Sequence, residues 1–255
     1  IQDNPLIRIN SVFSHLAASD EPDETAFTKN QINSFEKMAS KIQSHFNHEI
    51  IRHISNSAAI TRYPNAQLDM VRLGIGLYGV ATDPAIKDKL RNVSRLKTSI
   101  SQIKYINKGE SVGYSRAFKA ETDMKIGIIP IGYADGLSRI LSNKKGKLWV
   151  NGNAAPIVGN ICMDMCMVDL GPPDRPPATQ VSRGDEAVLF GPSGPTVYEV
   201  ARWSETIPYE ICCKVSPRVP RHYASSRNAR TAAPASAPDF TNRHTTSLHL
   251  RDRPQ

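Results

Sequence analysis

One arginine stands inside an otherwise apolar, glycine-rich run, Val71-Arg72-Leu73-Gly74-Ile75-Gly76-Leu77-Tyr78-Gly79. An arginine enclosed there needs acceptors, because deprotonation cannot remove its charge. Glycines let the backbone come close to a neighbour. Glycine amides beside a fixed cation suit an anionic cofactor that carries a ring nitrogen. The alternative is a core strand with a structural ion pair, since a short glycine motif is weakly specific. His15, in Phe13-Ser14-His15-Leu16-Ala17, sits where an apolar run meets a loop. If His15 and Arg72 end parallel strands of one barrel, both lie at its C-terminal face, where barrel enzymes build their sites. By itself such a histidine is more often a satisfied core or loop residue.

Metal chemistry is poorly served. Cys162 and Cys166 fall in one strand-like run, where their spacing puts both on one face, and Cys212 and Cys213 are adjacent on an expected helix. No histidine pair completes a tetrahedral set, so inert buried thiols are expected and no metal. His48 and His53 flank Glu49 one residue too far apart for a zinc-protease helix.

The elements that position these residues follow from hydrophobic period. Ile9–Ala18 reads as strand into loop. Ile32, Phe35, Met38 and Ile42 form one apolar helical stripe. Glu49–Ile54 is a second strand, Asn56-Ser57-Ala58-Ala59 opens a short helix, and Leu68–Leu77 is a third strand. Strand, helix, strand, helix, strand implies a parallel sheet, and three strands make only part of a barrel. Near Val93 the pattern changes to short strands: residues 93–106, then Lys125–Ile131, Lys147–Val150, Ala155–Val158, Ile161–Leu170 and Ala187–Phe190. Asn151-Gly152 between two of them reads as a tight hairpin turn. Thr196–Val215 turns helical. The expected organisation is residues 1–92 as a partial barrel, 93–223 as a mostly antiparallel β domain, and 224–255 as a disordered tail rich in Ala, Ser, Thr, Pro and Arg.

Bulk composition agrees with an ordinary globular protein. The chain has 255 residues, 40% hydrophobic and 22% charged, enough for one large or two ordinary domains. The net charge is +8, of which the five arginines and two aspartates of residues 224–255 supply +3. No basic stripe with interleaved aromatics appears, so no nucleic acid is expected. No apolar run approaches a membrane span and no signal segment opens the chain. Four irregularly spaced cysteines fit a reducing cytoplasm. Ile1 in place of methionine is what a piece of a longer chain would show.

His15, Asn56-Ser57, Arg72-Leu73-Gly74-Ile75, Tyr114, Tyr133, Met163-Asp164 and Tyr209, in this order and in their local motifs, resemble the alanine racemase family. The resemblance covers about residues 8–222. It implies a pyridoxal 5'-phosphate-binding (β/α)8 barrel followed by a β domain, and interconversion of L- and D-alanine for peptidoglycan. It also implies a head-to-tail homodimer, with alanine as the substrate.

The resemblance assigns roles as well. Arg72 would face the pyridine nitrogen and keep it unprotonated, with His15 hydrogen-bonded to Arg72 from behind. Asn56, Ser57, Gly74, Ile75 and Tyr209 would hold the cofactor, its phosphate in particular. Tyr114 would be one of two bases, reaching the partner subunit's site; a phenol that normally titrates near ~10 needs cationic surroundings for that work. The Met163 amide would help bind the substrate carboxylate. Asp20, Tyr133, Arg139 and Asp164 would line the corridor through which substrate enters. Asn160 departs from the pattern, standing where many members carry arginine.

The family's Schiff-base lysine and carboxylate-binding arginine match no position here. A fragment of a racemase is therefore expected, inactive and poorly folded alone, because a partial barrel leaves sheet edges and apolar faces uncovered. The alternatives are a non-catalytic remnant or interaction module, and a broad-specificity amino-acid racemase. A barrel-fold decarboxylase is disfavoured, since those enzymes place a carboxylate where Arg72 stands.

Overall fold

The computed structural model describes residue 4, residues 6–81, 83–173 and 181–224, and the backbone of residues 247–251. The chain divides into two compact units, Ile1–Arg91 and Asn92–Gln255.

In the first unit, β1 (Ser11–Phe13) pairs in parallel with β2 (Ile51–His53), and α1 (Thr25–Gln43) connects them. This is the crossover that two parallel strands require. Thr28, Ile32, Phe35 and Ala39 form the buried face of α1, at spacings of four, three and four. Burying Ile32 and Phe35 contributes about 1.5–3 kcal/mol each. Met38, expected on that stripe, is exposed. At ~100° per residue it sits roughly a quarter-turn from the centre of the buried face. The helix packs on Leu16, Ile54, Ala59 and Ala66. Asn56 caps α2 (Ser57–Arg62) by accepting from the Ala59 N–H.

The third strand expected over Leu68–Leu77 does not form. Residues 68–74 are irregular, and Ile75–Tyr78 winds into a 3-10 turn that ends at Gly79 with φ 75°. The cause lies opposite. Asp69 places its carboxylate, rather than a carbonyl, on the Arg52 N–H and on the Arg52 guanidinium. Only the Asp69 N–H to Arg52 carbonyl and Arg72 N–H to Ser55 carbonyl bonds bind this segment's backbone across to the β2 region.

The second unit is built on a sheet of nine strands. They are β3 (Ser94–Ser99), β4 (Gln102–Ile106), β7 (Met124–Ile129), β8 (Lys147–Val150), β9 (Asn153–Val158), β10 (Cys166–Gly171), β11 (Glu186–Phe190), β12 (Arg221–Ala224) and β13 (Ser247–Arg251). A short ribbon, β5 (Ser111–Val112) with β6 (Phe118–Lys119), lies outside it. The spatial order is β12-β13-β3-β11-β8-β9-β10-β7-β4, antiparallel except for β12 with β13. Asn151 and Gly152 turn β8 into β9 with φ of 47° and 77°, the paired positive values of a type I′ hairpin. Side chains such as Ile129, Leu148, Ile157, Val168 and Leu189 meet Val197 and Val200 of α3 (Val197–Trp203) and Ile211 of α4 (Pro208–Lys214) in one core.

Two expectations change here. β10 begins at Cys166, so Cys162 lies in the loop before it and the two thiols do not share a strand face. Residues 247–251 form a strand within the stretch expected to lack order. Ser247-Leu248-His249-Leu250-Arg251 alternates with the period of a strand and adds to the edge of β3. Residues 225–246 and 252–255 of that stretch lie outside the described residues.

Candidate active site

In the first unit the ends of β1 and β2 converge on Arg72. Its Nη1 donates to Nδ1 of His53 at 2.6 Å and to the His53 carbonyl at 3.1 Å. Its Nη2 donates to the carbonyls of Ser14 at 2.7 Å and Ile54 at 3.2 Å, and reaches Nδ1 of His15 at 3.4 Å. Neutral acceptors thus hold the cation, and no carboxylate among the described residues neutralises it. Nε–H has no acceptor among the described residues. The guanidinium also lies 5.4 Å from the Phe13 ring centre, and Phe13 stacks on His53 at 5.2 Å.

Burial and then the Arg72 charge push the His53 pKa below 6.5, so the ring is neutral at pH 7 and offers its Nδ1 lone pair to Arg72. His53 is therefore the closer support for Arg72, and His15 the longer one. In the sequence His53 stands out only as half of an imperfect metal motif with His48. The available signal was its place at the end of β2, three residues before the Asn56 cap.

Ser57 and the glycine run form a second cluster beside Arg72 in the chain. The Ser57 hydroxyl accepts from the amides of Gly74 at 2.9 Å and Gly76 at 3.4 Å. A Cβ on Gly76 would come within 2.8 Å of a Leu73 methyl. Ile75, buried, starts the 3-10 turn. The Asn56 side chain accepts from the Ser19 hydroxyl and reaches the Leu16 carbonyl, tying α2 to the loop after β1. Asp20 is exposed in that loop.

In the second unit Tyr114 opens a 3-10 turn, Tyr114–Arg116, entered through Gly113 at φ 77°. Ser115 and Arg116 also have positive φ, so Tyr114 stands at an outward corner with 70% of its surface exposed. Asn160 donates through Nδ2 to the Tyr114 carbonyl at 3.1 Å and accepts from Asn143 at 3.3 Å. Asn160 thus anchors the Tyr114 turn.

Tyr133 and Met163 are brought together by their main chains. The Tyr133 N–H donates to the Cys162 carbonyl at 3.1 Å, and the Ala134 N–H to the Met163 carbonyl at 3.0 Å. Gly132 makes this possible, because a Cβ there would fall 2.2 Å from the Met163 oxygen. Arg218 spans the pair, donating from Nε to Asp135 at 2.7 Å and from Nη2 to Asp164 at 2.5 Å. Asp135 in turn accepts from the Gly132 N–H at 2.8 Å. Arg139 begins the following 3-10 turn, close enough to Cys162 for its charge to oppose the burial that raises that thiol's pKa. Tyr209 is partly exposed on α4 of the second unit, whereas Ser57 and Gly74 belong to the first. Among the described residues no His, Cys, Asp and Glu side chains cluster in a way that could hold a metal, and no helix is long and apolar enough to cross a membrane.

A parallel strand–helix–strand segment bearing an arginine site, followed by a β domain that presents a tyrosine corner and a glycine-locked loop pair, defines a two-domain barrel-plus-β class. Residues 1–82 match the model of the alanine racemase N-terminal domain and residues 93–223 that of the alanine racemase C-terminal domain. The alanine racemase of Clostridium tetani is 40% identical over 230 residues, 88% of this chain and 58% of that protein. The solved alanine racemase of Streptomyces coelicolor A3(2) matches with a TM-score of 0.77 at 35% identity, over 86% of this chain and 57% of that one. The Bartonella henselae enzyme, solved with covalently bound pyridoxal phosphate, gives 0.72 at 32% identity, over 88% of this chain and 60% of that one. The chain belongs to the alanine racemase family. It spans somewhat more than half the length of the relatives it matches.

Proposed function

We propose that this chain is the larger part of a pyridoxal 5'-phosphate-dependent alanine racemase that interconverts L- and D-alanine in the cytoplasm for peptidoglycan, working as a head-to-tail homodimer. The observation that carries the reading is Arg72. Both its terminal nitrogens are committed to carbonyls and histidines, while Nε–H is left without an acceptor. That is the arrangement a pyridine nitrogen with a lone pair would complete. A guanidinium that never yields its proton cannot share one with the ring, and so keeps the ring nitrogen unprotonated.

The remaining residues fit the same cofactor. The amides of Gly74 and Gly76 and the Ser57 hydroxyl already converge on one point, a set of donors suited to phosphate oxygens. Asn56 holds the start of α2 in place and Ile75 fixes the 3-10 turn, while Tyr209, at the start of α4, is the phenol that the family resemblance gives to the phosphate. When bound, pyridoxal phosphate withdraws electrons from the substrate Cα–H bond and makes that proton removable. Tyr114, exposed at its corner, is the group that takes or returns the proton on one face, and a lysine that no motif of this chain matches serves the other. The Met163 N–H donates to no acceptor among the described residues and is free to receive the substrate carboxylate. Tyr133, Arg139, Asp164 and Asp20 shape the approach, and His15 with His53 steadies Arg72.

The test joins this chain to the lysine-bearing half of the Clostridium tetani enzyme, adds pyridoxal phosphate, and follows D-alanine formed from L-alanine. Racemisation is expected, with Arg72→Glu reducing it by on the order of a hundredfold or more, as for loss of a group acting directly on the cofactor. No racemisation from a properly folded chimera, or an unaffected Arg72→Glu variant, overturns the reading.

A further inference from the structure

Arg218 lies outside every motif that identified the family site, yet it is bonded to two segments of that site. Its Nε reaches Asp135, 83 residues earlier, and its Nη2 reaches Asp164, 54 residues earlier. Asp135 is nearly buried and belongs to the turn Gly132–Gly136 that carries Tyr133. Its other oxygen caps the Gly132 N–H, and its carbonyl accepts from the Ser216 N–H, on Arg218's own segment. Asp164 follows Met163 directly.

The two bonded turns fix one peptide plane. The Cys162 carbonyl accepts from the Tyr133 N–H. In a trans peptide the following N–H, that of Met163, points opposite to that carbonyl. Holding the Cys162 oxygen against the Tyr133 turn therefore aims the Met163 N–H away from it, and that N–H has no acceptor among the described residues. The two turns meet by only two main-chain bonds between glycine-thin surfaces. The guanidinium fork, gripping a carboxylate from each turn, is what opposes their separation. Lysine could not do the same, since one ammonium at the end of a flexible stem lacks the fixed fork.

We propose that Arg218 is a positioning residue of the racemase site: it clamps the Tyr133 turn to the Met163–Asp164 turn and thereby sets the direction of the carboxylate-binding Met163 amide. This rests on the role given to Met163 above. Asp135 is the strong arm of the clamp, with 9% of its side chain exposed, and Asp164 the weak one, with 57% exposed to screening water.

Amide hydrogen exchange on the chimeric enzyme reads the clamp without catalysis. Arg218→Met is expected to speed exchange at Tyr133 and Ala134 by about tenfold or more, the loss of a restraint comparable to one charged hydrogen bond. Amides in the β7–β10 ladder should keep their protection. Arg218→Lys should recover part of the effect, and Asp164→Asn should show a smaller one. If Arg218→Met loosens the whole ladder, Asp164→Asn decides. Unchanged exchange at Tyr133 and Ala134 in the deciding variant overturns the clamp. In the chimeric enzyme, Arg218→Met is expected to raise KM for alanine about tenfold with kcat within about threefold, the signature of lost ground-state binding. Faster exchange with an unchanged KM overturns the positioning role. Faster exchange in a parent chimera that never racemises supports the clamp and sinks the functional reading instead.

Discussion

Arg72 in the first unit and Arg218 in the second are both multiply bonded arginines, and they are used in opposite ways. Arg72 is wrapped by the neutral carbonyls of Ser14, His53 and Ile54 and by two histidine rings, so its charge and one N–H remain available. Arg218 is held by two carboxylates that more than cancel it. A guanidinium among neutral acceptors keeps its charge uncancelled, as the cofactor-facing role proposed for Arg72 requires. A guanidinium between carboxylates is committed to holding its neighbours. The type of acceptor, more than the number of bonds, separates a ligand-facing arginine from a structural one.

The largest expected effect breaks the structural side of this contrast. In Gly132→Ala, the new methyl would fall 2.2 Å from the Met163 carbonyl oxygen and 2.3 Å from that of Cys162. Backbone atoms on both sides leave no flexible group to yield, so the two turns must part. The second unit should lose about 3 kcal/mol, the upper end for an overpacked contact. Thermal unfolding followed by Trp149 and Trp203 fluorescence reads it, and an unshifted transition would mean that the turns are not held as described. The Arg72 cluster, in the other unit, should be untouched.

The second prediction probes the ligand-facing side through pH. Burial and Arg72 hold the folded His53 pKa below its unfolded value of about 6.5. The unfolded chain therefore binds the extra proton more readily. The contribution is complete above about pH 6.5 and is lost as pH falls through the lower folded value. Local stability of the first unit, read by hydrogen exchange at Arg72 and Ser14, should decline over that range. His53→Gln, which keeps an acceptor but cannot titrate there, should flatten this part of the profile. An equal slope in the variant would remove His53 from its place as the support of Arg72.

The contrast also marks what could be read from the chain. The Asn56 cap, the α1 stripe through Ile32 and Phe35, the Asn151-Gly152 hairpin and the glycine run at Arg72 depend on residues a few positions apart, and their patterns are visible directly. The strand expected at 68–77 does not form, because a strand exists only with a partner, and Asp69 captures the partner's donors. His53 and Arg218 were missed for a related reason. Their roles are defined by groups that the chain reaches only after folding, and nothing adjacent to either residue announces them. The residues proposed to act on cofactor and substrate carry local motifs, whereas those proposed to aim them do not.

The smallest expected effect falls on the Tyr114 corner, which neither arginine touches. Asn160 gives an N–H to the Tyr114 carbonyl, and its oxygen accepts from Asn143. Asn160→Asp keeps the shape and the acceptor but replaces the donor with a second oxygen facing that carbonyl. The lost bond and the new repulsion should cost about 1–2 kcal/mol locally, in the range for an exposed turn whose acceptor can turn to water. Exchange at Arg116 and Ala117, whose amides close the turn on Gly113 and Tyr114, should quicken severalfold. Asn160→Arg, the residue common in the family, restores a donor and should return exchange to the parent rate if a donor is all the corner requires. Should the arginine variant exchange as fast as the aspartate, a donor does not suffice and the acceptor to Asn143 is needed beside it. The departure at Asn160 would then be coupled to the Asn143 turn, and the Tyr114 corner would be held by a pair of asparagines that must change together.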